Sequence, residues 1–243
     1  MINIENVHRR YGKKSILQGI SLQISSGEIF GLLGANGAGK STLLAILSTT
    51  MKPSHGRVRI KDFDICKEIK QIRRIIGYVP QDIALWEELT VKENLRLWSK
   101  FLKEKVSAER LVKACEDVRL TDRWNEKVTN LSGGMKRKLN IAVALLHDPE
   151  VLIMDEPTVG IDLESKLEIN EYMKLLVKQG KTIVYTTHDI NEIKSLCSRI
   201  GVLQNGLLSF EGTIEEAKRM LIEERKHAFL TEEQVIYQLL KER

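Results

Sequence analysis

The sequence of 243 residues predicts an α/β fold with a mostly parallel sheet, an N-terminal antiparallel β subdomain and an inserted α-helical subdomain. Three patterns carry this prediction. The first strands alternate polar and apolar residues, which is typical of sheets with one buried face. Later apolar runs are nearly continuous and alternate with helical patterns, which indicates parallel strands buried on both faces. Between them, a stretch with helical periodicity shows no strand pattern and predicts the insertion.

The antiparallel subdomain is predicted from alternating segments near the N-terminus. Residues 2–7, 20–24 and 56–60 each alternate polar and apolar side chains, so we expect three half-buried strands. The sequence Tyr-Gly-Lys-Lys at 11–14 predicts the turn between the first two strands.

A phosphate-binding loop follows this subdomain. Residues 34–41 match G-x-x-x-x-G-K-[ST], and they lie between a predicted strand at 28–33 and a predicted helix at 41–47. The glycines permit a tight loop whose N–H groups point at an anion, and the helix N-terminus adds partial positive charge. We expect Lys40 to reach the β- and γ-phosphates and Ser41 to ligate Mg²⁺. The sequence thus predicts a P-loop NTPase core whose nucleotide ligands are Gly34, Asn36, Gly37, Gly39, Lys40, Ser41 and Thr42.

Two carboxylates end a later apolar strand. Residues 151–154 predict a buried strand, and Asp155 and Glu156 follow it directly before Pro157. Asp155 is placed to hold magnesium, directly or through water. Glu156 reaches further toward the γ-phosphate, where it could act as the general base for the attacking water. Two solvated acids are the plain alternative, but such an apolar strand is not expected to end in them without a role.

Helical patterns fill the middle and the end of the chain. Residues 90–120 predict two amphipathic helices within a subdomain at about 88–135, and a further helix is predicted from 135 to 147. The small residues before that helix leave N–H groups free for a second anion. Residues 200–203 and 207–210 predict a hairpin around 204–206, and helices are predicted from Thr213 and at 233–241, the latter capped by Thr231. We expect a domain at 1–215 and a C-terminal helical extension at 216–243.

The order of these motifs resembles the ATP-binding cassette family, the nucleotide-binding subunits of ABC transporters, over residues 1 to about 215. The resemblance implies that Leu-Ser-Gly-Gly-Met at 131–135 is the signature sequence, through which Ser132, Gly133 and Gly134 contact ATP. It also implies that Tyr11 stacks on adenine, that Gln81 touches the metal or water, that His188 contacts the γ-phosphate and that residues 160–162 signal between two sites. Glutamine is usual at Met135 and serine is common at Val159. Met135 followed by basic residues is similar to the exporter branch called ABC-2 type.

The resemblance implies a dimer that works with a membrane protein. ATP bound by one subunit is capped by the signature helix of a second, so we expect a homodimer that holds ATP and Mg²⁺. We also expect a separately encoded transmembrane permease subunit, contacted through Gln81 and the helices after it. The segment 83–86 is a candidate contact, although internal packing would explain it equally well. The expected location is cytoplasmic, peripheral on the inner face of the cell membrane.

The bulk composition agrees with a cytosolic subunit. No apolar stretch approaches the roughly 20 residues needed to cross a bilayer, and residues 1–10 lack the apolar core of a signal peptide. Cys66, Cys115 and Cys197 are far apart, which fits free thiols in a reducing compartment. The net charge is +5, and the basic clusters at 73–74 and 136–138 have no interleaved aromatic residues. We therefore expect solvated helix faces there. The charge alone does not select a partner, and the resemblance to a transporter subunit implies no nucleic-acid partner.

The sequence fits other classes of nucleotide hydrolase less well. The main alternative is a soluble ATPase of the same family that acts on ribosomes or DNA. Ribosome-acting members usually carry two cassettes in one chain, and DNA-repair members separate their motifs with long coiled coils. This sequence holds one phosphate loop and one signature, with no heptad repeat at 50–130. A GTPase is disfavoured because no N-K-x-D element is evident, and a non-hydrolysing subunit because Lys40, Asp155, Glu156 and His188 are all present.

Overall fold

Two sheets organise the chain in the computed structural model, which describes residues 1–225 and 230–241. The strands are β1 (Ile2–Tyr11), β2 (Lys14–Ile24), β3 (Ile29–Leu33), β4 (His55–Ile60), β5 (Phe63–Asp64), β6 (Ile76–Val79), β7 (Val151–Asp155), β8 (Thr182–Thr186), β9 (Arg199–Gln204) and β10 (Leu207–Gly212). The helices are α1 (Lys40–Leu47), α2 (Ile69–Ile75), α3 (Val91–Ser99), α4 (Ala108–Asp117), α5 (Gly133–Ala144), α6 (Leu163–Lys178), α7 (Ile190–Leu196), α8 (Ile214–Arg225) and α9 (Glu232–Leu240). The predicted extension at 216–243 therefore lies partly outside the described residues, at 226–229 and 242–243.

The antiparallel sheet has the order β2-β1-β4-β5. Its buried face shares one hydrophobic cluster with Leu43 and Leu47 of α1, so this sheet supports the helix that follows the phosphate loop. The prediction that the second strand begins at residue 20 is wrong, because β2 already begins at Lys14. The pairing of β2 with β1 contains register shifts, and Gly19 in β2 has a positive φ of 90°. These irregularities interrupt the alternation of polar and apolar residues, so the first half of β2 does not show the pattern of a strand.

The second sheet has the order β10-β9-β3-β8-β7-β6. β3 pairs in parallel with β8 and β9, and β7 pairs in parallel with β6 and β8, while β10 alone runs antiparallel in this sheet. Because parallel strands end at the same edge, the segments that follow β3, β6, β7 and β8 meet there. The predicted fold class is confirmed.

The helical insertion contains α3, α4 and two short 3₁₀ turns, Thr121–Arg123 and Val128–Asn130. A capping box between Thr90 and Glu93 starts α3, and the insertion packs its own apolar cluster against α5. The predicted end of the signature helix at residue 147 is wrong. The helix ends at Ala144, and the chain then turns through Asp148, which has a positive φ of 53° directly before Pro149. Helices α2, α6 and α7 were not identified from the sequence.

The C-terminal helices pack against the edge of the parallel sheet. The hairpin β9–β10 turns through Asn205 and Gly206, both with positive φ, as its sequence predicts. Helices α8 and α9 share an apolar cluster with β9, and the Gln204 side chain donates to the Leu239 carbonyl at 2.8 Å. Thr231 caps α9 as expected. Within the described residues, no helix has both the length and the apolar character of a membrane span.

A buried asparagine fixes the segment that leads from β6 into the insertion. Asn94 is fully buried, and its Oδ1 accepts the Trp86 N–H at 2.9 Å. Its Nδ2 donates to the carbonyls of Trp86 at 2.9 Å and Thr90 at 3.1 Å. The Asn94 side chain therefore pairs backbone groups of this loop that would be paired with other backbone groups in a helix or a strand.

Asn94→Ala should lower the free energy of unfolding by about 1–3 kcal/mol, because a fully buried side chain is lost together with its hydrogen bonds to the backbone of Trp86 and Thr90. Urea unfolding of the purified protein measures this change. Arg96→Ala, at an exposed position of the same helix, is the matched control and should alter stability by less than about 0.5 kcal/mol. Equal effects of the two substitutions would contradict the role given to Asn94.

Candidate functional site

A cavity of about 540 Å³ opens where the parallel strands end. Its lining consists of Tyr11, Lys14, Ile16, Asn36, Gly37, Gly39, Lys40, Ser41, Thr42, Gln81, Glu156 and His188. All of these except Lys14 and Ile16 are residues that the sequence predicts for the site, as nucleotide ligands or as catalytic groups. The structure therefore brings together residues that are separated by up to 177 positions in the chain.

The phosphate loop presents backbone donors to this cavity. Gly39 caps α1 with a φ of 110° and offers no side-chain cap, so the first N–H groups of the helix point into the loop without a side-chain partner. A Cβ on Gly39 would lie 2.7 Å from the Leu17 side chain, and one on Gly34 would lie 2.4 Å from the Leu203 carbonyl. Glycine is thus required at both positions by close approach as well as by backbone conformation. The arrangement is suited to an anion.

The ammonium group of Lys40 lies beneath the same loop. Its Nζ donates to the carbonyls of Gly34 at 2.7 Å and Ala35 at 3.2 Å, which leaves one of its three donors for a ligand. Burial lowers the pKa of Lys40, while the nearby carboxylates of Glu156 and Asp155 act in the opposite direction. A bound phosphate would supply the negative charge that this poorly solvated cation lacks.

Three strand ends converge on the carboxylate of Glu156. Gln81, which follows β6, donates from Nε2 to Glu156 Oε2 at 3.2 Å. His188, which follows β8, places Nε2 at 2.7 Å from Glu156 Oε1. Glu156 itself has a positive φ of 45°, in the left-handed region that is uncommon for non-glycine residues. Each carboxylate oxygen is thus oriented by a different neighbouring loop.

Asp155 lies behind the cavity and is not part of its lining. Its side chain is buried, and its Oδ1 accepts a hydrogen bond from the Thr186 hydroxyl at 2.7 Å. The Ser41 hydroxyl, the Asp155 carboxylate and the Gln81 carbonyl are the hard oxygen donors that Mg²⁺ prefers. No cluster of three or more metal-ligating His, Cys, Asp or Glu occurs among the described residues. These few oxygen donors fit a magnesium ion that takes its other ligands from phosphates and water.

Tyr11 stands at the mouth of the cavity and is about half exposed. The Arg9 guanidinium lies over its ring at 4.9 Å from the centroid, and the Tyr11 hydroxyl donates to Met51 Sδ at 3.2 Å. These two contacts hold an aromatic ring beside the phosphate loop, where it can stack on a planar group.

The signature residues form a second surface, apart from this cavity. Ser132 caps α5 by accepting the Met135 N–H at 3.2 Å. A Cβ on Gly134 would lie 2.0 Å from Ser165 Oγ at the start of α6, so this glycine lets the two helix ends touch. Among the described lining residues of the cavity, Ser132, Gly133 and Gly134 are all missing. The predicted signature contacts to ATP are thus not part of this cavity in a single copy.

A buried arginine links the two surfaces. Arg137 in α5 is 5% exposed and donates to the carbonyls of Pro80 at 2.9 Å and Gln81 at 2.7 Å. Burial lowers the pKa of Arg137. Lys138 is also buried and donates to Glu168 at 2.7 Å. The prediction of a solvated basic face at 136–138 is wrong for these two side chains. The apolar residues Ile141 and Ala144, four and seven positions after Arg137, were the signal that this face of the helix is buried.

Comparisons with known proteins give a consistent result. A protein-family model described as ABC transporter matches residues 17–159. The linearmycin resistance ATP-binding protein LnrL of Bacillus subtilis (strain 168) is 45% identical over 215 residues, which cover 88% of this chain and 69% of that protein. The Nod factor export ATP-binding protein I of Rhizobium etli is 40% identical, covering 87% of this chain and 67% of the relative. A solved dimeric ATP-binding cassette in a post-hydrolysis state, bound to ADP and Pi, has a TM-score of 0.78 at 31% identity and covers 88% of this chain and 98% of its own.

Gly134→Ala should destabilise the contact between α5 and α6, because its methyl group would overlap Ser165. We expect the free energy of unfolding to fall by about 1–3 kcal/mol, as measured by urea unfolding. Gly133→Ala is the matched control, since the nearest atom to its added Cβ is the Gly160 carbonyl oxygen at 3.9 Å. A Gly133→Ala protein that is destabilised as much as Gly134→Ala would contradict the close approach inferred at Gly134.

Proposed function

This chain belongs to the ABC transporter family, and on that premise we propose that its cavity binds and hydrolyses ATP in the ATP-binding subunit of an exporter. The convergence of Gln81 and His188 on Glu156, beside the phosphate loop, is the observation that carries this proposal. The relatives are named for resistance and for Nod factor export, which favours export as the direction of transport.

We assign the binding of the triphosphate to the loop and the start of α1. The N–H groups of the loop residues that line the cavity and the free donor of Lys40 would face the β- and γ-phosphates, and Tyr11 would stack on the adenine ring. Ser41, Asp155 and Gln81 would hold Mg²⁺, which supplies charge neutralisation on the phosphate oxygens. Lys14 and Ile16 line the cavity near Tyr11 in the chain, and we propose that they contact the nucleotide as well.

Hydrolysis follows from the position of Glu156. Its carboxylate takes a proton from water as the water oxygen attacks the γ-phosphorus, and the bond from that phosphorus to the bridging oxygen of ADP breaks. The products are ADP and inorganic phosphate. His188 and Gln81 orient the carboxylate, and His188, which also lines the cavity, would contact the γ-phosphate.

Two copies complete each site. Since Ser132, Gly133 and Gly134 lie apart from the cavity of their own chain, we propose that they cap the ATP held by a second copy. The γ-phosphate then attracts two cationic surfaces, and its loss allows the copies to separate. A closed state that binds ATP better than ADP can drive a partner between conformations. The solved dimeric cassette with ADP and Pi supports this arrangement.

We propose that a separately encoded membrane subunit docks on the insertion beside Gln81. Trp86, Trp98 and Phe101 form a row of rings, with centroids 5.6 Å and 5.8 Å apart. Trp86 is 48% exposed and Phe101 is 68% exposed, whereas Leu85 packs inward. Exposed aromatic residues in a row are typical of protein interfaces. Through this partner the subunit would reside on the inner, cytoplasmic face of the membrane.

We further propose that residues 1–215 form the nucleotide-binding domain and that the extension at 216–243 braces it. Helices α8 and α9 cover the side of β9, the strand next to the one that leads into the phosphate loop. The extension contributes no residue to the lining of the cavity within the described part of the chain.

Glu156→Gln should preserve ATP binding and stop turnover, because an amide cannot accept the proton of the attacking water. We expect an ATP-dependent dimer that persists, measured by light scattering alongside phosphate release. Lys40→Ala is the control that should lose nucleotide binding and therefore never dimerise. Normal phosphate release by Glu156→Gln would contradict the base assignment, and unchanged ATP affinity in Lys40→Ala would contradict the loop assignment.

A further inference from the structure

A single buried hydroxyl touches both acidic residues of the site. Thr186 is the last residue of β8 and is fully buried between β3 and β7, where it pairs with Leu32 on one side and Asp155 on the other. It precedes His188 by two positions but does not line the cavity. A buried polar side chain at such a position is retained only when its hydrogen bonds are made.

The Thr186 hydroxyl carries a single proton, and this decides which of its hydrogen bonds it donates and which it accepts. The Thr186 hydroxyl has one proton to donate, and the nearest acceptor is Asp155 Oδ1 at 2.7 Å, ahead of the Met154 carbonyl at 3.4 Å. The same oxygen accepts the N–H of Glu156 at 2.9 Å. Donation to a carboxylate strengthens the hydroxyl as an acceptor, so the two bonds support each other.

The hydrogen bond from the Glu156 N–H to Thr186 stabilises a strained backbone conformation at Glu156. A φ of 45° lies in the left-handed region, which is sterically unfavourable for a non-glycine residue. This conformation turns the chain out of β7 and sends the Glu156 side chain toward Gln81 and His188. The Thr186 oxygen holds the N–H at the point of the turn.

We propose that Thr186 is a positioning residue for the proposed ATPase. Its hydroxyl donates a hydrogen bond to Oδ1 of Asp155, which leaves Oδ2 of the same carboxylate for the magnesium ion or its water. Through the Glu156 N–H it also fixes the turn that presents the base. The inference rests on the proposed function. It adds to that function a single hydroxyl group that fixes the positions of Asp155 and Glu156 relative to each other.

Thr186→Val keeps the shape of the side chain and removes the hydroxyl, while Thr186→Ser keeps the hydroxyl. We expect kcat for ATP to fall about 10- to 100-fold in Thr186→Val with KM for ATP within about twofold, and Thr186→Ser to stay within about threefold of wild type. Thr182→Val is the matched control on the same strand, since Thr182 is equally buried and accepts the Gly27 N–H at 3.0 Å, far from the acids. Thr182→Val should keep kcat.

Two measurements report the geometry without turnover. In the Glu156→Gln background with ATP, electron paramagnetic resonance titration of Mn²⁺ should show about tenfold weaker metal binding when Thr186→Val is added, with ATP affinity in the absence of metal unchanged. Hydrogen exchange of the Glu156 amide should quicken in Thr186→Val alone. If valine prevents folding, Thr186→Cys, a weaker donor, should show the same pattern with a smaller loss.

The proposal would be overturned if Thr186→Val had the kcat, metal affinity and amide exchange of the wild type. It would also be overturned if Thr186→Ser or Thr182→Val lost as much kcat as Thr186→Val. Failure of the proposed function looks different. In that case the wild-type protein releases no phosphate or Glu156→Gln remains active, whereas exchange of the Glu156 amide still reports the hydroxyl of Thr186.

Discussion

The meeting of parallel strand ends at one carboxylate is the constraint on which the rest of the structure depends. Glu156 follows β7, and its two oxygens are held by residues that follow the strands β6 and β8. The phosphate loop follows β3, which is bonded to β8. Any shift in the register of these strands would move Glu156 away from the loop. The antiparallel sheet and the C-terminal helices share hydrophobic clusters with the strands that lead to this edge.

The cavity and the signature residues lie on separate surfaces of one copy, and Arg137 connects the two. A buried guanidinium on the signature helix donates to the Pro80 and Gln81 carbonyls, so the helix cannot rotate without moving the loop that holds Gln81. Asn94 ties the continuation of this loop to the insertion. The loop from Gln81 to Trp86 is thus held at one end by the signature helix and at the other by the insertion.

The sequence predicted the fold class and the local motifs because each is written in contiguous residues. The phosphate loop, the Asp155-Glu156 pair and the Asn205-Gly206 turn all depend on neighbours in the chain. The residues that escaped prediction act over long separations. Arg137 is paired with carbonyls 56 and 57 positions away, and Thr186 lies 31 positions from Asp155. The apolar residues Ile141 and Ala144 indicate that the helix face of Arg137 is buried, but only the packed fold shows which carbonyls its guanidinium contacts.

The central claim is that ATP is held between two copies of this chain. The most direct measurement is a crystal structure of the Glu156→Gln protein with ATP and Mg²⁺. The account predicts a two-fold dimer in which the Ser132 hydroxyl of each copy lies within hydrogen-bond distance of the γ-phosphate bound by the other. A monomer with ATP in the cavity, or a dimer in which Ser132 lies far from any nucleotide, would contradict it.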